Sequence, residues 1–201
     1  AITFDLKKDR LLFNYDVNYR NNDAFTLANG FGFVSNDASK TKALRQDAVA
    51  TYQKRFDDKN KKLDFIFNFN RNDNDFNLKG ISNTNALDNN SQQDYVNFRI
   101  DYAQPLKILD EGKISFGSLY DNLSFVTDSF GITNLDYDRR TTAGYLEFQS
   151  KYKKFDFIVG TRAEDYSITG KTNTNDLIPF KQFRFFPNAC IWEKTKLLKR
   201  N

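Results

Sequence analysis

Apolar and polar residues alternate along most of the chain, so that apolar side chains recur at every second position. The clearest rows lie in 11–19, 63–70 and 96–103, where Phe, Tyr, Leu, Ile and Val alternate with Asn, Asp and Arg. In an extended strand this spacing puts one row on each face of a sheet. The sequence therefore predicts strands at about 11–19, 25–33, 46–56, 63–70, 96–103, 113–122, 140–152, 155–167 and 182–192.

The parity of the apolar row changes near the beginning of the chain. Ile2, Phe4 and Leu6 occupy even positions, whereas the row in 11–19 occupies odd positions. Since a strand keeps its parity, the change across 7–10 indicates a bulge, a turn or a break in the chain. The sequence leaves these three alternatives open.

The connections between the predicted strands alternate in length. Short connections are expected at 20–24, 57–62, 105–112 and 153–154. Longer, polar connections, rich in Asn and Asp, are expected at 34–45, 72–94, 123–138 and 169–181. In an up-and-down sheet this alternation places every long loop at one end, as in outer-membrane barrels with short periplasmic turns and long extracellular loops.

Two architectures fit the local pattern. In a soluble sandwich the apolar row would point into a core, and in a membrane barrel it would face lipid while the polar row lines a wet lumen. Three features favour the barrel: predicted strands of about ten residues, the segregation of long and short connections, and aromatic residues near strand ends. The aromatic residues in question are Tyr19, Tyr102, Tyr120 and Tyr152. The predicted fold class is an all-β, antiparallel, up-and-down transmembrane β-barrel.

The polar row is unusually charged for a sheet. Its charged members include Asp16, Arg99, Asp101, Arg162 and Glu164. A barrel lumen tolerates such side chains where they pair across strands or meet water. We interpret them as paired lumen-wall residues in preference to a solute or plug interface.

Composition removes several classes of chemistry. The chain has no His and one Cys, Cys190, which excludes Cys/His zinc sites, His-based triads and intrachain disulfides. Its formal net charge is only +4 and no basic block stands out, so no nucleic-acid partner is predicted. The chain contains no run of about 18 apolar residues, so no transmembrane helix is predicted.

Further candidates for chemistry have simpler explanations. An oxygen-rich cluster, Asn70, Asn72, Asp73, Asn74 and Asp75, lacks the Gly and terminal Glu of a calcium loop, and a solvated extracellular loop is the favoured interpretation. The segment 136–140 is interpreted as an ion-pair network at the barrel rim. No catalytic, cofactor-binding or metal-binding residue is predicted.

Three further features of the sequence require no special chemistry. Cys190 is expected to act as a small apolar residue, because no His is present to activate it. Trp192, near a strand end, is expected to anchor at the membrane interface. The segment 30–32, Gly-Phe-Gly, lacks the context of a phosphate-binding loop.

An ordered series of short motifs carries a family resemblance. Residues 94–106 read DYVNFRIDYAQPL, and GKISFG follows at 112–117. YLEF at 145–148 precedes FDFIVGTRAE at 155–164, which contains a G-x-R-x-E strand. Two further motifs complete the series: FFPN at 185–188, and a Y-x-K-x-F-D motif that opens the hairpin at 52–72. Over about 46–192 the chain resembles the TonB-dependent-receptor-like outer-membrane β-barrel family.

The resemblance implies a location in the cell outer membrane, with the lipid bilayer and other outer-membrane or periplasmic energy-coupling proteins as partners. It implies uptake of a nutrient whose identity is open, without a cofactor and without enzymatic activity. The alternative of the same fold is a non-transporting barrel that serves as a structural or docking subunit of a larger complex. A small complete barrel or a β-sandwich is the third possibility.

The resemblance also implies that 1–201 is a partial barrel domain. Large transporter barrels have about 22 strands, and this chain supplies about ten. Its last residues, 196–201, do not end on the aromatic residue that usually closes such barrels. The family's plug and TonB box have no counterpart in it.

Overall fold

The chain forms one antiparallel β-sheet. A computed structural model describes residues 1–58, 61–80, 86–107, 110–130 and 132–193. The strands are β1 Ile2–Leu6, β2 Asp9–Gly30, β3 Phe33–Arg55, β4 Lys62–Gly80, β5 Ala86–Leu106, β6 Asp110–Ser129, β7 Ile132–Tyr152, β8 Phe155–Thr172 and β9 Phe180–Glu193. Within these ranges, no helix has the length and apolarity needed to cross a membrane.

The strands follow each other through the sheet in chain order, and each pairs antiparallel with the next. This is the predicted up-and-down arrangement, with nine described strands where about ten were expected. In the described part of the chain β1 and β9 lie at opposite edges and do not pair with each other, so the sheet is open. A single open layer leaves few side chains buried, among them Ala103, Ala143, Ser150 and Asp156.

Strands β2 to β8 are longer than predicted, with 18 to 23 residues each. The expected long loops at 34–45, 72–94 and 123–138 are therefore wrong over most of their length, because they continue β3 to β7. The expected loop at 169–181 shrinks to 173–179 between β8 and β9. Residues 81–85 and 194–201 lie outside the described residues.

The predicted turn at 20–24 is also wrong, since this segment lies inside β2. The turns at 57–62, 105–112 and 153–154 are confirmed by strand ends close to these positions. The error has one cause: where both faces of a sheet meet water, polar residues occupy both rows and the alternation that marks a strand disappears.

Two tight turns consist of a pair of lysines. Lys7 and Lys8 join β1 to β2, with Leu6 opposite Asp9, so the parity change near the start of the chain is a turn. Lys153 and Lys154 join β7 to β8 in the same way. Lys7 and Lys153 adopt positive φ angles of 34° and 55°. These turns define one end of the sheet, which we call the lysine end.

One face of the sheet is apolar over the half next to the lysine end. The register places the apolar rows of neighbouring strands side by side; for example, Phe13, Ala50, Phe67 and Phe98 are successive partners in β2 to β5. We call this surface the apolar band. It includes Leu11, Phe13, Tyr15, Val17, Tyr19, Leu63, Phe65, Phe67, Phe69, Val96, Phe98, Ile100, Tyr102, Phe116, Tyr120, Leu146, Phe148, Phe155, Phe157 and Val159.

The band has the height of a membrane. In β2 it covers residues 11–19, and a tilted transmembrane strand takes about 9–11 residues to cross the bilayer. Outer-membrane barrels carry an apolar band about 25 Å tall between two aromatic girdles. Tyr19 and Tyr120 are the last apolar residues of the band on their strands, and Tyr102 and Tyr152 lie at the lysine-end border. The structure thus places the four predicted tyrosines at both borders.

Beyond the band the same face becomes charged. Arg71 Nε lies 3.1 Å from Asp73 on the same strand. It also lies 3.8 Å from Asp94, its partner on β5. Lys40 and Asp23 form a further pair, 3.8 Å apart, between β3 and β2. Because charged side chains are costly in lipid, the row at Arg71 marks where the sheet leaves the membrane. The outer part of each strand therefore continues as a sheet in water.

The position of the band predicts how arginine affects folding. In the full-length protein Phe67→Arg, at mid-band, should destabilise the barrel in lipid vesicles by about 2–4 kcal/mol, the cost of arginine near the bilayer midplane. Asn77→Arg, on the same strand and face beyond the band, should change stability by less than about 0.5 kcal/mol. Denaturant unfolding from vesicles measures both. Equal effects of the two variants would contradict the assignment of the band.

Candidate binding surface on the polar face

The face opposite the apolar band carries charged and amide side chains along the same strands. The strand pairing brings residues from β3 to β9 into one continuous surface, which we call the polar face. Its members include Arg45, Asp47, Asn68, Asn70, Tyr95, Asn97, Arg99, Asp101, Asp121, Arg139, Tyr145, Arg162, Glu164 and Arg184.

A three-strand contact fixes the middle of the polar face. Tyr145 of β7 donates its hydroxyl to Asp101 Oδ1 of β5 at 2.6 Å. Arg99 Nε donates to Asp101 Oδ2, also at 2.6 Å. The Tyr145 side chain crosses β6 to make this bond, so β5 and β7 are linked across the strand that separates them.

Glycine makes this crossing possible. Gly117 lies between Asp101 and Tyr145 in the cross-strand row. A Cβ atom at this position would lie 2.5 Å from Tyr145 Cε1, 2.5 Å from the Ile100 carbonyl oxygen and 2.8 Å from Asp101 Oδ1. The missing side chain leaves the space that the tyrosine ring occupies.

Other charged residues of the polar face are paired as well. Arg162 lies 2.8 Å from Glu164, and Arg139 lies 3.4 Å from Asp121. These contacts show that the charged residues are paired, but Arg99–Asp101 and Arg162–Glu164 pair along one strand and not across strands. Asp16, the remaining predicted member, lies on the same face opposite Asp47.

An open cavity of about 440 Å³ lies on the polar face of β3, β4 and β5. We call it the amide pocket; it is lined by Arg45, Asp47, Asn70, Asn72, Gln93 and Tyr95. The outermost band residues of β4 and β5 are Phe69 and Val96. Asn70 directly follows Phe69 in β4, and Tyr95 directly precedes Val96 in β5. The pocket thus begins at the level where the sheet leaves the membrane.

The two charged residues of the amide pocket are bonded to each other. Arg45 donates from Nε to Asp47 Oδ2 at 2.7 Å and from a terminal nitrogen to Asp47 Oδ1 at 3.4 Å. Asn70 donates its amide to Asp47 Oδ1 at 2.5 Å. These bonds orient the carboxylate and leave a pocket wall of amides and a phenol with no net charge.

The oxygen-rich cluster predicted as a loop lies within β4 and is divided by strand alternation. Asn70, Asn72 and Asn74 lie on the polar face, whereas Asp73 and Asp75 lie on the opposite face. The loop prediction is wrong, and two of the amides line the pocket instead. Within the described ranges, no group of three or more His, Cys, Asp or Glu side chains is arranged to hold a metal ion.

The segment 136–140 makes the predicted ion pairs but lies inside β7 and not at a loop. Asp136 lies 3.7 Å from Lys171 on the outer face, while Arg139 pairs with Asp121 on the polar face. The two pairs are on opposite faces, so they are separate contacts and not one network.

The structure also places Trp192, Cys190 and the segment 30–32. Trp192 lies opposite Asp156, on the polar face, so the interface-anchor interpretation is wrong. Cys190 is a free, exposed thiol on the same face, opposite Ile158. Phe31 and Gly32 form the turn between β2 and β3, where Gly32 has a φ of 77°.

Sequence reasoning missed the amide pocket because its residues come from three strands. Arg45, Asn72 and Gln93 become neighbours only through the strand register. One signal was available: Asn recurs at the even positions 68, 70, 72 and 74, which share one face of a strand.

Comparisons with known proteins agree with this geometry. A model of the outer membrane protein beta-barrel family matches residues 54–197. Among solved structures, the chain is similar to the alcaligin outer-membrane receptor FauA from Bordetella pertussis, with a TM-score of 0.67 and 13% sequence identity. The similarity covers 97% of this chain and 32% of that receptor. No curated protein matches the chain.

These findings select the barrel over the soluble sandwich. At 13% identity the structural similarity shows the fold alone, and the chain spans about a third of the receptor's length. An open sheet of nine strands is consistent with part of a larger barrel. The apolar band then faces lipid, and the polar face lines the lumen.

The crossing of Tyr145 over Gly117 predicts unequal effects at two neighbouring glycines. In the full-length protein Gly117→Ala should cost about 1–3 kcal/mol through overpacking. Gly144→Ala should cost less than about 0.5 kcal/mol, because the nearest heavy atom to a Cβ there is 3.9 Å away. Denaturant unfolding in lipid vesicles compares them. If Gly144→Ala is as destabilising as Gly117→Ala, the packing described here is not what sustains the sheet.

Proposed function

The chain belongs to the outer membrane protein beta-barrel family, and we propose that the protein takes up a polar ligand at the cell surface and passes it through the barrel lumen. It is an outer-membrane β-barrel that resembles TonB-dependent receptors. The fold class and the location predicted from the sequence are confirmed. Uptake is the proposed role, and it is supported by the difference between the two ends of the sheet and by the amide pocket.

The two ends of the sheet differ in how far the strands extend beyond the apolar band, and this difference supports an assignment of their sides. At the lysine end the turns lie directly below the band, as periplasmic turns do. At the other end the strands continue beyond the band, which suits the extracellular side. A ligand would therefore first meet the water-exposed part of the sheet.

The amide pocket is the observation that carries the proposal. It lies on the lumen face at the level where the barrel opens to the outside, and its charges are already neutralised by each other. A neutral hydrogen-bonding wall at the mouth of a lumen can hold a polar solute and release it again. Binding and release involve no bond cleavage, so the proposed role is not enzymatic.

Uptake against a gradient needs an energy source, and the outer membrane holds none of its own. We therefore include periplasmic energy-coupling proteins as partners, beside the lipid bilayer that surrounds the band. Collapse of the proton-motive force of the inner membrane should then stop uptake while leaving binding at the cell surface intact.

A second role is supported by the ends of the hairpins. Phe31, Phe130 and Ile178 lie at the turns farthest from the lysine end, and all three are exposed. Apolar side chains at such tips suit contact with another protein, as in a docking subunit of an outer-membrane complex. Stable co-purification with a second protein, without any uptake defect in a deletion strain, would favour this role.

Two double variants test uptake through the lumen. Asn72 and Gln93 are partners on the lumen face, and the adjacent pair Asp73 and Gln92 lies on the outer face. Asn72→Trp with Gln93→Trp should lower uptake about tenfold, an effect of about 1.4 kcal/mol on binding. Asp73→Trp with Gln92→Trp should leave uptake within about twofold of the parent, since less than 0.5 kcal/mol is expected from surface changes.

The measurement is complementation of a deletion strain on limiting nutrients: ferric chelates, cobalamin or oligosaccharides. Heat-modifiable migration confirms that both double variants reach the outer membrane folded. A deletion strain that grows normally on every nutrient would contradict the uptake role. Equal uptake by the two double variants would contradict a route through this part of the lumen.

A further inference from the structure

One row of the lumen wall combines amides with aromatic rings. Asn72 of β4 lies opposite Gln93 of β5, Gln93 lies opposite Phe125 of β6, and Phe125 lies opposite Tyr137 of β7. At about 4.8 Å between neighbouring strands, this row extends for about 14 Å across the wall. It begins in the amide pocket and continues as an aromatic surface beside it.

The charge of the pocket limits its ligand. Among the residues that line the pocket, Arg45 is the cation and Asp47 the anion, and they bond to each other at 2.7 Å; Asp16, opposite Asp47 on β2, is a further carboxylate beside them. The guanidinium and the carboxylate already pair with each other in contact with solvent, and a solvated pair of this kind adds little attraction for a charged ligand. The amides and the phenol then supply the hydrogen bonds of the pocket, and these groups suit a ligand without net charge.

The side chains of the row also define the chemistry of the ligand. Each amide of Asn72 and Gln93 offers donors and an acceptor, and the Tyr95 hydroxyl, which is hydrogen-bonded to Asp121, can still accept. Such groups match hydroxyls, which also donate and accept. The rings of Phe125 and Tyr137 offer an apolar surface for the C–H faces of a ligand that carries its hydroxyls around its edge.

We infer that the amide pocket and its neighbouring aromatic pair form a binding site for a neutral oligosaccharide. This inference rests on the proposed uptake function and names the class of substrate. A volume of about 440 Å³ lies within the range of small-molecule sites, and the 14 Å row lets a ligand extend from the pocket onto the rings.

The test uses the full-length protein in detergent and an array of neutral oligosaccharides, with ferric citrate and cyanocobalamin as non-saccharide probes. At least one neutral oligosaccharide should bind, and ferric citrate should not. Binding of no glycan on the array, or binding of ferric citrate in competition with a glycan, would overturn the inference.

Paired variants locate the site. Asn72→Leu with Gln93→Leu keeps the side-chain size but removes the amides, and should weaken glycan binding about tenfold or more. Asn74→Leu with Ser91→Val changes the next cross-strand pair outward, beyond the pocket lining, and should stay within about twofold. Phe125→Leu tests the aromatic part separately and should weaken binding without a change in heat-modifiable migration. Equal loss in both double variants, or no loss in Phe125→Leu, would overturn the assignment.

Failure of the inference and failure of the uptake proposal give different results. If the deletion strain loses uptake of a ferric chelate or cobalamin and the protein binds no glycan, uptake stands and the saccharide site falls. If a glycan binds with the expected variant pattern but no uptake defect is found, the site stands and the transport role falls.

Discussion

Backbone hydrogen bonding is the constraint on which the rest of this structure depends. Lipid offers no partner to a peptide N–H or C=O, so every strand that crosses the membrane must pair with its neighbour along its whole length. The ladders of β2 to β8 meet this requirement and then continue into water for a comparable distance. A pairing that is obligatory in the membrane thus sets the register for the polar hairpins outside it.

The same ladders decide what each side chain faces. Once Phe67 is fixed toward lipid, Asn68 must face the lumen, and so must Asn70 and Asn72 farther out. The amide pocket is therefore a consequence of the apolar band, although the two share no residue. The Tyr145 bond to Asp101 adds a contact between strands that are not neighbours and links β5 to β7 across β6.

The sequence was sufficient for the part of the fold that lies in the membrane. There one face is apolar and the other polar, so the alternation of Leu63 to Phe69 specifies both a strand and its orientation. It failed at 34–45 and 72–80, because a sheet wet on both faces leaves no alternation to read. Charged pairs such as Arg162 and Glu164, two residues apart on one face, were within reach of sequence reasoning, whereas the pocket was not. Arg45 and Gln93 are far apart in the chain, and only the register brings them together.

The central claim is that one strand passes from lipid to water between Phe69 and Arg71 without ceasing to be a strand. Spin labels placed singly along β4 from 65 to 77, in full-length protein with Cys190→Ala reconstituted in lipid, test it by their accessibility to oxygen and to a water-soluble nickel chelate. The account predicts high oxygen accessibility at 65, 67 and 69, higher nickel accessibility from 71 outward, and label mobility typical of a strand through 77. Loop-like mobility from 72 onward, or oxygen accessibility that continues through 75, would contradict it.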